Sequence, residues 1–168
     1  MTENTNEGKI IFLRNFIFGV EDSLVSTVGL LSGIAVASTP PATIIFTGSV
    51  YIVVEAFSMA VGSFLSEESA QEYRAKEYAS LWTSVRGGVV MFISFVAAGL
   101  IPIAPYFLVG ANSALFFSIA ASLVALFILG FIGGKISGVR PARRAWRMFV
   151  FGGIAIIVGV LVGKLFKV

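Results

Sequence analysis

Between Ile10 and Phe166 the chain turns apolar five times, each time for longer than the ~18 residues that mark a membrane-spanning helix. In hydrocarbon every backbone donor and acceptor must be satisfied within the segment, so runs of this kind fold as helices. With 57% hydrophobic residues and 12% charged in 168, no soluble core could hide them all. The expected fold class is therefore an all-α integral membrane protein with five transmembrane helices, at about 10–37, 42–65, 82–107, 111–134 and 146–166. Residues 1–9 are polar and read as a short disordered cytosolic tail, leaving 10–168 as a single membrane domain.

The breaks between spans carry the topology. Pro40 and Pro41 end the first helix in an uncharged turn, because proline lacks the backbone donor and restricts the residue before it. Pro102 and Pro105 close the third beside Tyr106, which reads as an interfacial aromatic. The link at 66–80 concentrates Glu67, Glu68, Glu72, Arg74, Lys76 and Glu77, and the last link holds Lys135, Arg140, Arg143, Arg144 and Arg147. Together with Lys9, Arg14 and Arg86 these cations fall on one side, while Lys164 and Lys167 fall opposite. The positive-inside rule places the N-terminus in the cytosol, and an odd number of spans puts the C-terminus outside. Trp82 and Trp146, each opening a span from the cytosolic side, fit as interface anchors.

The same inventory removes most kinds of chemistry. Net charge is +3, but the basic residues sit at span ends and report topology, so no nucleic-acid partner is expected. Without Cys or His there is no disulfide framework, zinc cage or Ser-His-Asp triad. No nucleophile-and-base pair or phosphate-cradling loop stands out, so neither an enzyme nor a resident cofactor is expected.

What remains is a small set of misfits. Glu21, Asp22 and Glu55 are the acids that fall inside apolar spans, and a carboxylate there costs at least ~2.5 kcal/mol, so its default reading is an ion pathway. Glu55 and Met59 stand at i and i+4, on one helix face. Counted from Arg14 and Glu67 at the cytosolic ends of antiparallel neighbours, Asp22 and Met59 are level, with Glu55 ~6 Å deeper beside Ser26. Carboxylates suit hard divalent ions, and a thioether shifts preference toward later transition metals, so Fe²⁺ or Mn²⁺ fits the mixture. Asp22, Met59 and Glu55 are the candidate metal ligands, with Glu55 and Asp22 also as proton carriers. One protomer offers few ligands, so a homodimer is expected, with Gly29, Gly33, Ser58 and Gly62 permitting a close seam.

Each residue also has a plainer reading. Met59 without its acidic neighbours would be a gap-filler in a helix contact. Glu21 points ~100° away from Asp22 and suits the interface, or pairing with Arg14 or Arg86, better than the path. Glu68 and Glu72 read as a solvated helix face rather than a metal-collecting arm.

Four ordered segments match a known family. Phe-Gly-Val-Glu-Asp-Ser-Leu-Val-Ser-Thr (18–27), Ala-Phe-Ser-Met-Ala-Val-Gly-Ser-Phe-Leu-Ser (56–66), Gly-Leu-Ile-Pro-Ile-Ala-Pro-Tyr (99–106) and Arg-Arg-Ala-Trp-Arg-Met-Phe-Val-Phe-Gly-Gly (143–153) resemble helices one, two, three and five of the vacuolar iron transporter family. The resemblance implies a five-helix protomer, a homodimer with the path between its copies, and proton-coupled export of Fe²⁺ or Mn²⁺ from the cytosol. It also implies that Asp22 and Met59 are the metal-binding aspartate and methionine. Ser23 replaces the family's glycine after that aspartate, and Tyr51 replaces a glutamate two turns before the methionine. Tyr51, Glu55 and Met59 share a face, so the carboxylate has moved along the path rather than off it. The link between helices two and three lacks the long Glu- and Met-rich domain of many members, so metal would enter the membrane site directly.

The expected function is thus a metal ion/proton antiporter, with a non-transporting membrane scaffold of the same fold, or a passive cation channel, as the alternatives. Short length and the lack of a transit-like leader point to a prokaryotic plasma membrane rather than an organelle.

Overall fold

The computed structural model describes residues 2–75, 81–109 and 111–166, all in helices and their turns. Five helices follow one another: α1 (Thr2–Val36), α2 (Pro41–Ala75), α3 (Leu81–Leu108), α4 (Ala111–Ile136) and α5 (Pro141–Leu165). Each contains a stretch long and apolar enough to cross a bilayer, and the chain is an integral membrane protein. Lys76, Glu77 and Lys167, counted above for topology, lie outside the described residues.

Three boundaries differ from expectation, for one reason, the third being α5, which starts at Pro141 and not near Trp146. α1 starts at Thr2, so residues 2–9 continue the first helix instead of forming a tail, and α2 runs ten residues past Leu65. Once the apolar turns provide a helical nucleus, polar residues extend it cheaply. At ~1.5 Å per residue the 35 residues of α2 measure ~52 Å, well beyond a ~30 Å hydrocarbon core, and its polar last turns project past the membrane.

α1 is the central helix, touching all four others; α3 packs against both α1 and α2, and α5 packs against both α1 and α4. Small residues make this possible. Gly19 faces Met91 and Ser94, Gly99 faces Ile52, and Gly88 faces the Ala60 backbone. The tightest approach is between α1 and α5, where Gly29 lies against Ala155, and Gly33 against Gly159 and Gly163. Gly29 and Gly33, expected to line a seam between copies, instead bring two helices of one protomer together, while Ser58 and Gly62 are exposed.

Polarity is arranged as in a membrane solvent. Val53, Phe57, Ile93 and Ile157 face outward, whereas Ser23, Thr27, Ser32, Ser84, Ser118 and Ser122 are buried. Two of these serines tie helices together, Ser23 Oγ donating to Phe95 O (2.6 Å) and Ser118 Oγ to Pro102 O (2.6 Å). Such bonds bring roughly 0.6 kcal/mol each in a bilayer, so they set orientation more than stability. Pro102 and Pro105 lie within α3, and Tyr106 is buried in the cluster of Leu31, Ile52 and Phe95 rather than at an interface. Trp82 and Trp146 are exposed near the starts of α3 and α5, Arg86 resting 4.8 Å above the Trp82 ring.

An ion pair joins the N-terminal part of α1 to the C-terminal part of α2. Arg14 Nη2 donates to Glu67 Oε2 at 2.7 Å, and Gln71 Nε2 donates to Glu67 Oε1 at 3.3 Å. Glu67 is 3% exposed and Arg14 is 53% exposed, so the carboxylate depends on the pair more than the guanidinium does. Arg14→Gln is therefore expected to lower the melting temperature more than Glu67→Gln, because only the first leaves a buried charge uncompensated. Equal losses in a thermal-shift measurement would contradict this.

Candidate functional site

The α1–α2 interface is thin, and its polar contacts define the register. Nearest the arginine-rich end, Ser63 Oγ donates to Asn15 Oδ1 (2.9 Å). Further in, the Asp22 and Glu55 carboxylates lie within electrostatic reach of one another. Next comes the Tyr51 hydroxyl, near the Ser26 side chain and within electrostatic reach of both acids. Ser26 Oγ itself donates to the Asp22 carbonyl oxygen at 2.6 Å, one turn back in α1.

This ladder corrects the expected depths. Counting along each helix from the Asn15–Ser63 bond, seven residues set Asp22 level with Ala56, beside Glu55, and eleven set Ser26 level with Ile52, beside Tyr51. Both lie about one turn away from the pairing of Asp22 with Met59 and of Ser26 with Glu55. Arg14 and Glu67, the anchors of the expected depths, have long side chains that reach obliquely between ends that are not level. The short Asn15–Ser63 pair agrees with the register deeper in. Met59 stands on the carboxylate face of α2, ~6 Å from Glu55 toward the arginine-rich end, half-buried against the Ile52, Ala56 and Phe95 cluster. Ser26 also lines an apolar groove of about 580 Å³ between α1 and α5, with Gly29, Gly33 and Gly159.

The remaining acids go elsewhere. Glu21 faces Arg144 and Arg147 of α5, not Arg14, which is paired with Glu67, nor Arg86, which lies over Trp82. Glu68 is half-buried and Glu72 exposed on the projecting end of α2. Among the described residues no three acids converge on one point. Glu67 escaped sequence reasoning as a buried acid. Its signal was Gln71 at i+4, a neutral donor that suits a carboxylate already holding a cation.

Ser23, the departure beside Asp22, is fully buried and bonded to the α3 backbone. It points away from the ladder and fixes the rotation of α1, which turns Asp22 toward α2.

Five helices long and apolar enough to cross a bilayer define a polytopic membrane protein. The VIT family model matches residues 13–84 and 79–164, two pieces that meet at the link between α2 and α3. The chain belongs to the VIT family. It is 29% identical over 152 residues to vacuolar iron transporter homolog 2 of Arabidopsis thaliana, covering 84% of this chain and 77% of that protein. Against vacuolar iron transporter homolog 1 of Oryza sativa subsp. japonica it is 29% identical over 171 residues, covering 92% and 74%. A shorter match, 38% over 93 residues, links it to a vacuolar iron transporter of Toxoplasma gondii, covering 51% of this chain and 31% of that one. The chain thus spans about three quarters of the homologs but about a third of that transporter.

Proposed function

We propose that this protein is a proton-coupled transporter exporting Fe²⁺ or Mn²⁺ from the cytosol, with Asp22, Glu55 and Met59 as the ion's ligands. The observation that carries the reading is the register of α1 on α2: seven residues along each helix from the Asn15–Ser63 bond, Asp22 comes level with Ala56, so the Asp22 and Glu55 carboxylates stand at one depth among apolar helices. Such a pair is unfavourable unless a cation or protons occupy it. Both occupants are part of the cycle: metal binds the dianionic pair, and protons replace it as the pair opens to the other side. Met59, one turn nearer the arginine-rich end, adds a soft donor that favours Fe²⁺ or Mn²⁺ over Mg²⁺ and Ca²⁺. Tyr51 and Ser26 cap the ladder on its far side.

The direction rests on topology. Arg14, Arg86 and the arginines of the last link mark the cytosolic end, which puts the N-terminus inside and the C-terminus outside. The partly filled ligand set of one protomer supports a homodimer in which a second copy doubles the donors. Relatives named vacuolar iron transporters support iron as cargo. Export across a prokaryotic plasma membrane, the expectation from sequence, would discharge metal from the cell, whereas across a vacuolar membrane it would store it.

The test is Fe²⁺ and Mn²⁺ uptake into proteoliposomes holding a pH dye. Metal entry with opposite proton movement supports antiport. Flux without proton movement would replace it with a channel, and no flux in folded protein would replace it with a scaffold.

A further inference from the structure

The second feature of α5 is a pocket at its arginine-rich end that the ladder does not use. About 550 Å³ in volume, it lies within the range of small-molecule sites, ~300–1,000 Å³. Arg140, Arg143, Arg144 and Arg147 line it, with Glu21 the single carboxylate among the described lining residues. We infer that this pocket binds a phosphoryl anion, the chemistry shared by an anionic phospholipid headgroup and free phosphate.

Three observations support that ligand. Four guanidiniums face one acid, so the pocket has a cationic surplus, and guanidinium forks match phosphate oxygens two at a time. Arg144 is already oriented, its Nη1 donating to Ser137 Oγ (3.0 Å) and Gly133 O (3.4 Å), which leaves the rest of the fork for a ligand. α5 begins at the pocket with Pro141 in its first turn and no side-chain cap, so the positive end of a 25-residue helix faces the same space.

The pocket's position relates it to lipid. Met148 and Phe151 continue its wall along α5 toward the membrane, and Trp146 on the same helix is exposed as an interface anchor. A headgroup could sit among the arginines with its chains against that apolar wall. Positive-inside bias alone explains cations at this end, but it does not require them to line one cavity with an oriented member.

Glu21 gives the site an internal competitor. It faces Arg144 and Arg147, and a bound phosphate would take over the same cations. Removing the carboxylate should therefore tighten binding, whereas removing arginines should weaken it.

The full-length protein in phosphatidylcholine nanodiscs would be titrated with phosphatidylglycerol in one arm and inorganic phosphate in the other, reading thermal shift and lipid retention by native mass spectrometry. At about fivefold per arginine, Arg143→Gln with Arg147→Gln should weaken binding ~25-fold. Both side chains are exposed, and Arg144 with its bonds is left in place. Glu21→Gln should bind more tightly than wild type. Lys9→Gln with Arg86→Gln removes equal charge elsewhere and should change nothing. Binding in the phosphatidylglycerol arm identifies lipid as the source, and binding in the phosphate arm a soluble anion. Binding in neither arm, equal loss in the Lys9 and Arg86 control, or weaker binding by Glu21→Gln would overturn the assignment.

Discussion

Asp22→Asn is expected to lower metal flux in proteoliposomes by at least about a hundredfold, the upper end of what loss of even a supporting group costs a metal site. It should do so without lowering the melting temperature. Asparagine keeps the shape of aspartate, and Ser26 binds the backbone carbonyl of residue 22, not its side chain. The neutral amide also removes the repulsion between Asp22 and Glu55, so stability should hold or rise slightly. This opposition is the useful readout. A residue that only packs loses function by losing fold, whereas a ligand loses function while the fold gains. Glu55→Gln should resemble it, with proton movement lost along with flux. Met59→Ala should leave more flux but a poorer preference for Fe²⁺ and Mn²⁺ over Mg²⁺, because it removes the soft donor and keeps both acids. If Asp22→Asn transported normally, the carboxylate pair would not be the metal site.

The five spans were legible in the sequence, since they depend on the cost of polar groups in hydrocarbon. That cost is a property of residue type. Depth along the interface was harder to read. The estimate took Arg14 and Glu67 as level because both mark the ends of apolar runs, yet flexible side chains let such residues meet across a turn of offset. Short-side-chain pairs such as Asn15–Ser63 are the better rulers, but nothing in the sequence pairs them beforehand. Partnership was also beyond reach. Gly29 and Gly33 announce that a backbone comes close without saying whose, and the answer is α5 of the same chain. Glu21 announces a cation, and of several arginines within helical reach the fold selects those of α5.

Gly159→Val is expected to destabilise the protein by at least ~3 kcal/mol, the upper end of ordinary overpacking. A Cβ at residue 159 would be driven into the Gly29 carbonyl, and one at Gly163 into the Gly33 carbonyl. The approach is tight from the other side too, where a Cβ on Gly33 would come 2.7 Å from the Gly159 oxygen. Every atom met here is backbone, so no side chain can swing aside and α5 must move as a unit. In a bilayer the displaced helix regains no hydrophobic energy, because lipid solvates it as well as protein does; what holds it is close packing. Gly153→Val is the matched control, since it has the same propensity cost in the same helix but a Cβ there has nothing within 4 Å. A detergent melting curve should separate the two variants widely. Equal stability would mean that α1 and α5 are not in backbone contact, and it would return Gly29 and Gly33 to a seam between copies. The variant also bears on the site, because α1 carries Asp22 between α2 on one side and α5 on the other. Gly159→Val should lose transport together with its fold, the pattern that Asp22→Asn is expected not to follow.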